Sequence, residues 1–237
     1  MSDFELPFMR TGRDVTIYLH GARLHAHLSI PENPQALVLF AHATGRGRAS
    51  PRNRQLSEML NDAGIATLMC DLLTSEEEII AELAGEYRQD YEMQCPRLVA
   101  FTDWSAAQPE LQGLAVGYFA AGTAAAAAIC AANARPAVVR AIVTRSGRAD
   151  LAWDELKECT VPTRMIAGER DTPIRAMNWV ALQQLAAEHK DILVLPAAGH
   201  LFVEPGALEA VGDHARNWFL EHLGVGDRLL HREMVVV

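Results

Sequence analysis

Six short apolar runs, spaced by stretches long enough for a helix, constrain this chain more than any other feature. They are ALVLFAH (36–42), IATLMCD (65–71), GLAVGYF (113–119), VVRAIVT (138–144), TRMIAG (163–168) and ILVLP (192–196). Each has the length of one strand. ALVLFAH and IATLMCD are almost continuously apolar rather than alternating, the mark of a strand covered on both faces. The spacers carry helix signals: Pro51 opening a helix over 51–63 that Gly64 stops, and Ser75 with Glu78 as a capping box. Further helices are expected over about 96–107, in the alanine run after Gly122, and over about 173–189 and 207–223. Two alternating segments, 14–20 and 23–30, form an N-terminal hairpin. Strands alternating with helices give an α/β fold: a mostly parallel central sheet flanked by helices on both faces. One domain over residues 1–237 is expected. The short connection from Thr144 to Thr163 has no room for a large lid domain.

Composition removes several function classes. The net charge is −9, so a nucleic-acid partner is not expected, because phosphate binding needs a basic surface. No apolar run reaches the roughly 18 residues that span a bilayer, and the N-terminus lacks a basic-then-apolar leader pattern. The expected setting is cytoplasmic, with no membrane partner. Cys70, Cys95, Cys130 and Cys159 are scattered and read as ordinary buried thiols. His25 and His27 share a strand face but lack a third ligand, so neither a metal nor a cofactor is expected.

In such a sheet, chemistry sits in the loops at the carboxyl ends of the strands. Three loops stand out. GERDTPI places Asp171 just past the run at 163–168, and AAGHLF places His200 just past the run at 192–196. AAGT places Gly122 in a sharp turn after the run at 113–119. Turn residue, acid, histidine is the chain order of an α/β-hydrolase triad. Asp171 would fix the tautomer of His200, and His200 would move protons.

The text "LVLFAHATGRGRASPRNRQLSEMLNDAGIATLMCDLLT", "GYFAAGTAAAAA", "VTRSGRADLA", "GERD" and "AAGHLFVEPGALE" resembles the dienelactone-hydrolase-related branch of the α/β-hydrolase fold over nearly the whole chain. In that family the turn resembles GASTG; here it is Ala120-Ala121-Gly122-Thr123-Ala124, with Gly122 in the serine's place. The resemblance therefore implies a hydrolase scaffold without its nucleophile, and loss of the acyl-enzyme route. Backbone N–H groups of Ala43 and Thr123 would still form an oxyanion hole, and Thr44 belongs to the same loop. Such a hole stabilises an enolate as well as a tetrahedral oxyanion. Arg46, Arg48 and Arg145 are candidates to hold a substrate carboxylate, with loop-tethering salt bridges as their alternative. Ser146 and Trp153 are candidates to line the pocket.

Three functions are compatible with this pattern. The first is a non-hydrolytic enzyme that transfers a proton at a carbon next to a carbonyl. The second is a serine-independent hydrolase. The third is a pocket protein without catalysis. Serine-less relatives of this fold act in bacterial peptide natural-product pathways, among them the bottromycin pathway, so the resemblance extends to a peptidyl aspartate epimerase. A small molecule or a modified peptide is the expected substrate.

Overall fold

The structure, a computed structural model, describes residues 11–43, 47–84, 87 and 89–224. Eight strands form one sheet: β1 (Thr11–Leu19), β2 (Ala22–Ile30), β3 (Ala36–His42), β4 (Ile65–Asp71), β5 (Ala115–Ala121), β6 (Val139–Arg145), β7 (Thr163–Gly168) and β8 (Lys190–Leu195). Their spatial order is β1-β2-β4-β3-β5-β6-β7-β8. The β1–β2 hairpin is antiparallel and joins β4 antiparallel; every pair from β4 to β8 is parallel. This is the mostly parallel α/β arrangement that the apolar runs implied.

Among the described residues seven α-helices cover it: α1 (Pro51–Asp62), α2 (Ser75–Ala84), α3 (Tyr91–Ala106), α4 (Ala124–Ala134), α5 (Trp153–Leu156), α6 (Thr172–Gln184) and α7 (Ala207–His222). The two cores explain why the runs do not alternate. Along β3, Leu37, Leu39 and Ala41 pack with residues of α3 and α4, while Val38 and Phe40 pack with Leu56 and Leu60 of α1 and Phe219 of α7. Both faces of the strand therefore need apolar side chains. Between β6 and β7 lie only a short 3-10 turn and α5, so no lid domain is inserted there.

Local details depart from expectation in three places. The capping box is one residue earlier: the Thr74 hydroxyl accepts from the Glu77 N–H at 3.2 Å, and the Glu77 carboxylate accepts from the Thr74 N–H at 2.8 Å. Glu77 is also pinned by a two-pronged pair with Arg97, which selects this register. Helix α3 starts at Tyr91 rather than near Pro96, because the Asp90 carboxylate caps it by accepting the Met93 N–H at 2.9 Å. Pro96 then sits inside the helix, costing it one amide donor. Finally, Cys95 of α3 and Cys130 of α4 form a disulfide, so only Cys70 and Cys159 are the buried thiols expected of all four.

Candidate active site

The turn between β5 and α4 is the sharpest feature at the strand ends. Gly122 has φ +58°, in the left-handed region that glycine enters without strain. A Cβ added there would meet nothing within 4 Å. The turn is fixed from behind: the Gly122 carbonyl accepts from the Arg148 N–H at 2.8 Å and the Ala125 N–H at 3.2 Å. Ala120 and Ala124 are fully buried and packed in the core, so the turn accommodates alanines on either side of its tip. Helix α4 approaches the sheet closely because its first five residues are alanines with no exposed surface.

Asp171 and His200 come together as their loops predict. Gly168, at the end of β7, lets the next loop press against it: a Cβ there would lie 2.5 Å from the Ala198 carbonyl oxygen. The Arg170 N–H donates to that carbonyl at 2.9 Å. This contact sets Asp171 beside His200, whose Nδ1 is 2.6 Å from Asp171 Oδ2. The aspartate side chain is 10% exposed and the imidazole 52%. A buried acid orienting a half-exposed histidine is the geometry of an acid–base pair, with Nε2 as the working nitrogen.

Ser146 has a different place from the one expected. It is buried with φ +43°, and its hydroxyl donates to the His200 carbonyl at 3.0 Å. It supports the histidine loop from below rather than lining an open pocket. Ser146→Ala should lower stability by about 1 kcal/mol through the lost hydrogen bond. It should slow any His200-dependent turnover by about tenfold with KM unchanged, because small displacements of a catalytic group are costly. Urea melts and steady-state kinetics on one preparation check both.

The remaining candidates divide. Ala43 is buried just past β3, and Thr123 is the residue that precedes α4. Thr44 and Arg46 lie outside the described residues. Arg48 is a loop tether and not a free clamp. Its Nε donates to Asp71 Oδ2 at 2.8 Å and its backbone N–H to Oδ1 at 3.2 Å. It also lies 3.7 Å from Asp14, in a cleft of about 470 Å³ between the hairpin and α1. Arg145 points to the α1 face, where its Nη2 donates to Asn53 Oδ1 at 3.3 Å and its guanidinium stacks over Phe119. Trp153 is 39% exposed at the start of α5.

Two further residues make the strand ends electrostatically unusual. His42 closes β3 and is buried, and among the described residues neither ring nitrogen makes a hydrogen bond of good geometry. Burial, with Arg145 nearby, pushes its pKa down to about 3, so it is neutral in ordinary buffers. Asp71 closes β4, and burial pushes its pKa up to about 6 against the pull of Arg48. In the sequence, His42 heads the loop His42-Ala43-Thr44-Gly45, which resembles the family's HGSG, whereas Asp71 is signalled only as a polar residue ending an apolar run.

These two groups act on stability with opposite signs. Asp71 binds its proton more tightly in the folded state, so its contribution is full below about pH 4 and is lost as pH rises to about 6. Folded His42 binds its proton more weakly, so its contribution is full above about pH 6.5 and is lost as pH falls towards 3. Each amounts to about 1.4 kcal/mol per pH unit in its window, and between pH 4 and 6 they offset. Asp71→Asn should expose the His42 slope. Urea melts of the variant at pH 6 and pH 4.5 should differ by about 2 kcal/mol more than those of the unmodified protein, with the acid sample weaker.

No protein-family model matches the chain. Two Mycobacterium tuberculosis proteins, of strains CDC 1551 and H37Rv, are 45% identical to it over 197 residues and are provisionally named phosphoribosyl transferases. The match takes in 83% of this chain but 43% of theirs, so the chain spans only about half the length of these curated relatives. Among solved structures, the dienelactone hydrolase of Anabaena variabilis is 44% identical with a TM-score of 0.85, over 90% of this chain and 99% of that one. Est1E from Butyrivibrio proteoclasticus shares the fold at 14% identity and TM-score 0.74, over 88% and 98%. A dienelactone-hydrolase-like promiscuous phosphotriesterase from metagenomic libraries does so at 20% and 0.67, over 90% and 98%. With that identity to the Anabaena protein over almost its full length, the chain belongs to the dienelactone-hydrolase family of α/β hydrolases.

Proposed function

We propose that this chain is an enzyme that uses the dienelactone-hydrolase scaffold for proton transfer at a carbon next to a carbonyl, without an acyl-enzyme. The observation that carries the reading is the pairing of an intact Asp171–His200 dyad with a nucleophile turn tipped by Gly122. A substrate carbonyl would rest against the N–H groups of Ala43 and Thr123. His200 Nε2 would take the α-proton, leaving an enolate on the carbonyl oxygen. The imidazolium, after exchange with solvent, would return a proton to the same carbon. Every bond to the carbonyl survives, so the product is an epimer or isomer of unchanged mass. The substrate class we favour is a modified peptide with an activated α-carbon, such as a peptidyl aspartate. Without a lid domain between β6 and β7, such a chain could reach the strand ends.

A second reading is hydrolysis by a water that His200 activates. The space beside Gly122 and the hydrolase name of the 44% identical structure favour it. The two are separated by incubating the enzyme with p-nitrophenyl acetate and with cyclised aspartyl peptides. Proton transfer predicts ester hydrolysis at the buffer background and a second chromatographic peak of unchanged peptide mass. Nitrophenol release well above background with no second peak would replace it with the hydrolase.

A further inference from the structure

The loop that follows β6 makes a bond to each part of the candidate site. The Ser146 hydroxyl donates to the His200 carbonyl at 3.0 Å, and the Ser146 N–H donates to the Ile166 carbonyl of β7 at 2.9 Å. The Arg148 N–H donates to the Gly122 carbonyl at 2.8 Å. Between them, the Gly147 carbonyl accepts from Asn178 Nδ2 at 2.9 Å. Asn178 lies on α6, the helix that Asp171 precedes, about two turns from the acid. Three consecutive residues therefore touch the histidine loop, the helix behind the acid, and the nucleophile turn.

The segment has little freedom to adjust. Ser146 holds φ +43°, a left-handed conformation that a non-glycine residue keeps only where its surroundings enforce it. A Cβ at Gly147 would lie 2.7 Å from Ala125 Cβ and 2.8 Å from Thr144 Cβ, so the backbone is wedged between α4 and β6. Asn178 carries a cost in this arrangement. It is buried on the inner face of α6, with Ala181 and Leu182. Its Nδ2 donates to the Gly147 carbonyl and to the Ile174 carbonyl, one turn back, at 2.7 Å. Its Oδ1 is buried with no donor among the described residues. An apolar residue would spare the fold that orphan oxygen, so what asparagine contributes at this position is the pair of donors.

We propose that Asn178 is a positioning residue: by holding the Gly147 carbonyl it fixes the separation between the Asp171–His200 pair and the Gly122 turn. The link is mechanical. The Asp171 carbonyl accepts the Arg175 N–H at 2.9 Å, so the acid moves with α6. His200 and Gly122 are bonded to residues 146 and 148, so they move with the loop. The Asn178–Gly147 bond joins the helix to the loop, and small displacements of catalytic groups are costly. The role rests on the reading above that these three residues form the working site, but it requires no particular substrate.

Asn178→Ser tests the bond alone, because a serine hydroxyl can still reach the Ile174 carbonyl but is too short for Gly147. Asn178→Leu fills the same space without donors. Val211→Ala, in the core of α7, is the control for lowered stability away from the loop. Amide hydrogen exchange of Arg148 should be about tenfold or more faster in both Asn178 variants than in the control. At about pH 9, where an ordinary imidazole is neutral, the ring nitrogen NMR signals of His200 should move from those of a single Nδ1–H tautomer towards a mixture as Asp171 loses register. With a substrate that the chain turns over, kcat should fall about tenfold with KM unchanged. Arg148 exchange no faster than in Val211→Ala would overturn the role. So would His200 ring signals identical to those of the unmodified chain, or an unaltered kcat. The exchange and NMR readouts need no turnover. A chain without any His200-dependent reaction would therefore defeat the proton-transfer reading, while these two readouts would still decide the role of Asn178.

Discussion

Gly122→Ser should give this chain an acyl-enzyme burst that it otherwise lacks. The turn already has the backbone that a nucleophile needs, with φ +58°, and open space where a Cβ and hydroxyl would go. The acid–histidine pair is formed at 2.6 Å without it. Adding the serine therefore restores the missing member to a framework that is otherwise in place. The cost is a non-glycine residue in the left-handed region, about 1–3 kcal/mol of stability. The gain should be at least about a hundredfold in p-nitrophenyl acetate hydrolysis, a fraction of what a full triad supplies. Stopped-flow absorbance should show a burst equal to the enzyme concentration. A folded variant without a burst would mean that the turn does not aim its tip at His200.

His200→Ala should remove proton transfer. A positioned general base contributes about a hundred- to ten-thousandfold, and among the described residues no second histidine is hydrogen-bonded to Asp171. The imidazole is half exposed, so the loss should come with a stability change within about 0.5 kcal/mol, which separates chemistry from unfolding. Asp171→Asn should produce a comparable fall by releasing the tautomer. If the substrate's own carboxylate were the base, His200→Ala would keep its rate within a few-fold. Initial rates and urea midpoints of the three proteins decide between these.

The parts of the molecule legible in the sequence were those set by periodicity. β3, β4 and β7 begin and end where the apolar runs do, because both faces of these strands are covered by helices and need apolar side chains along most of their length. Asp171 and His200 were legible because each follows such a run by a few residues. What the sequence hid was decided by contacts between distant segments. Thr74 rather than Ser75 caps α2 because Arg97, far along the chain, holds Glu77. Cys95 and Cys130 pair because α3 and α4 lie side by side. Ser146 reads as a loop serine until the His200 carbonyl is placed above it. Arg48 and Arg145 look alike as loop arginines, yet one is neutralised by Asp71 and the other is not. Loop charges take their roles from partners that no local pattern records.

In the proposed reaction, the Gly122 turn and the Asp171–His200 pair move a proton and break no bond to the carbonyl. The most direct measurement is mass spectrometry of aspartyl peptide substrates incubated with the enzyme in deuterium oxide. The account predicts a gain of about one mass unit at a single carbon-bound position, no cleavage, and loss of the gain in His200→Ala. Cleaved product carrying solvent oxygen, or intact peptide bound without any exchange, would contradict it.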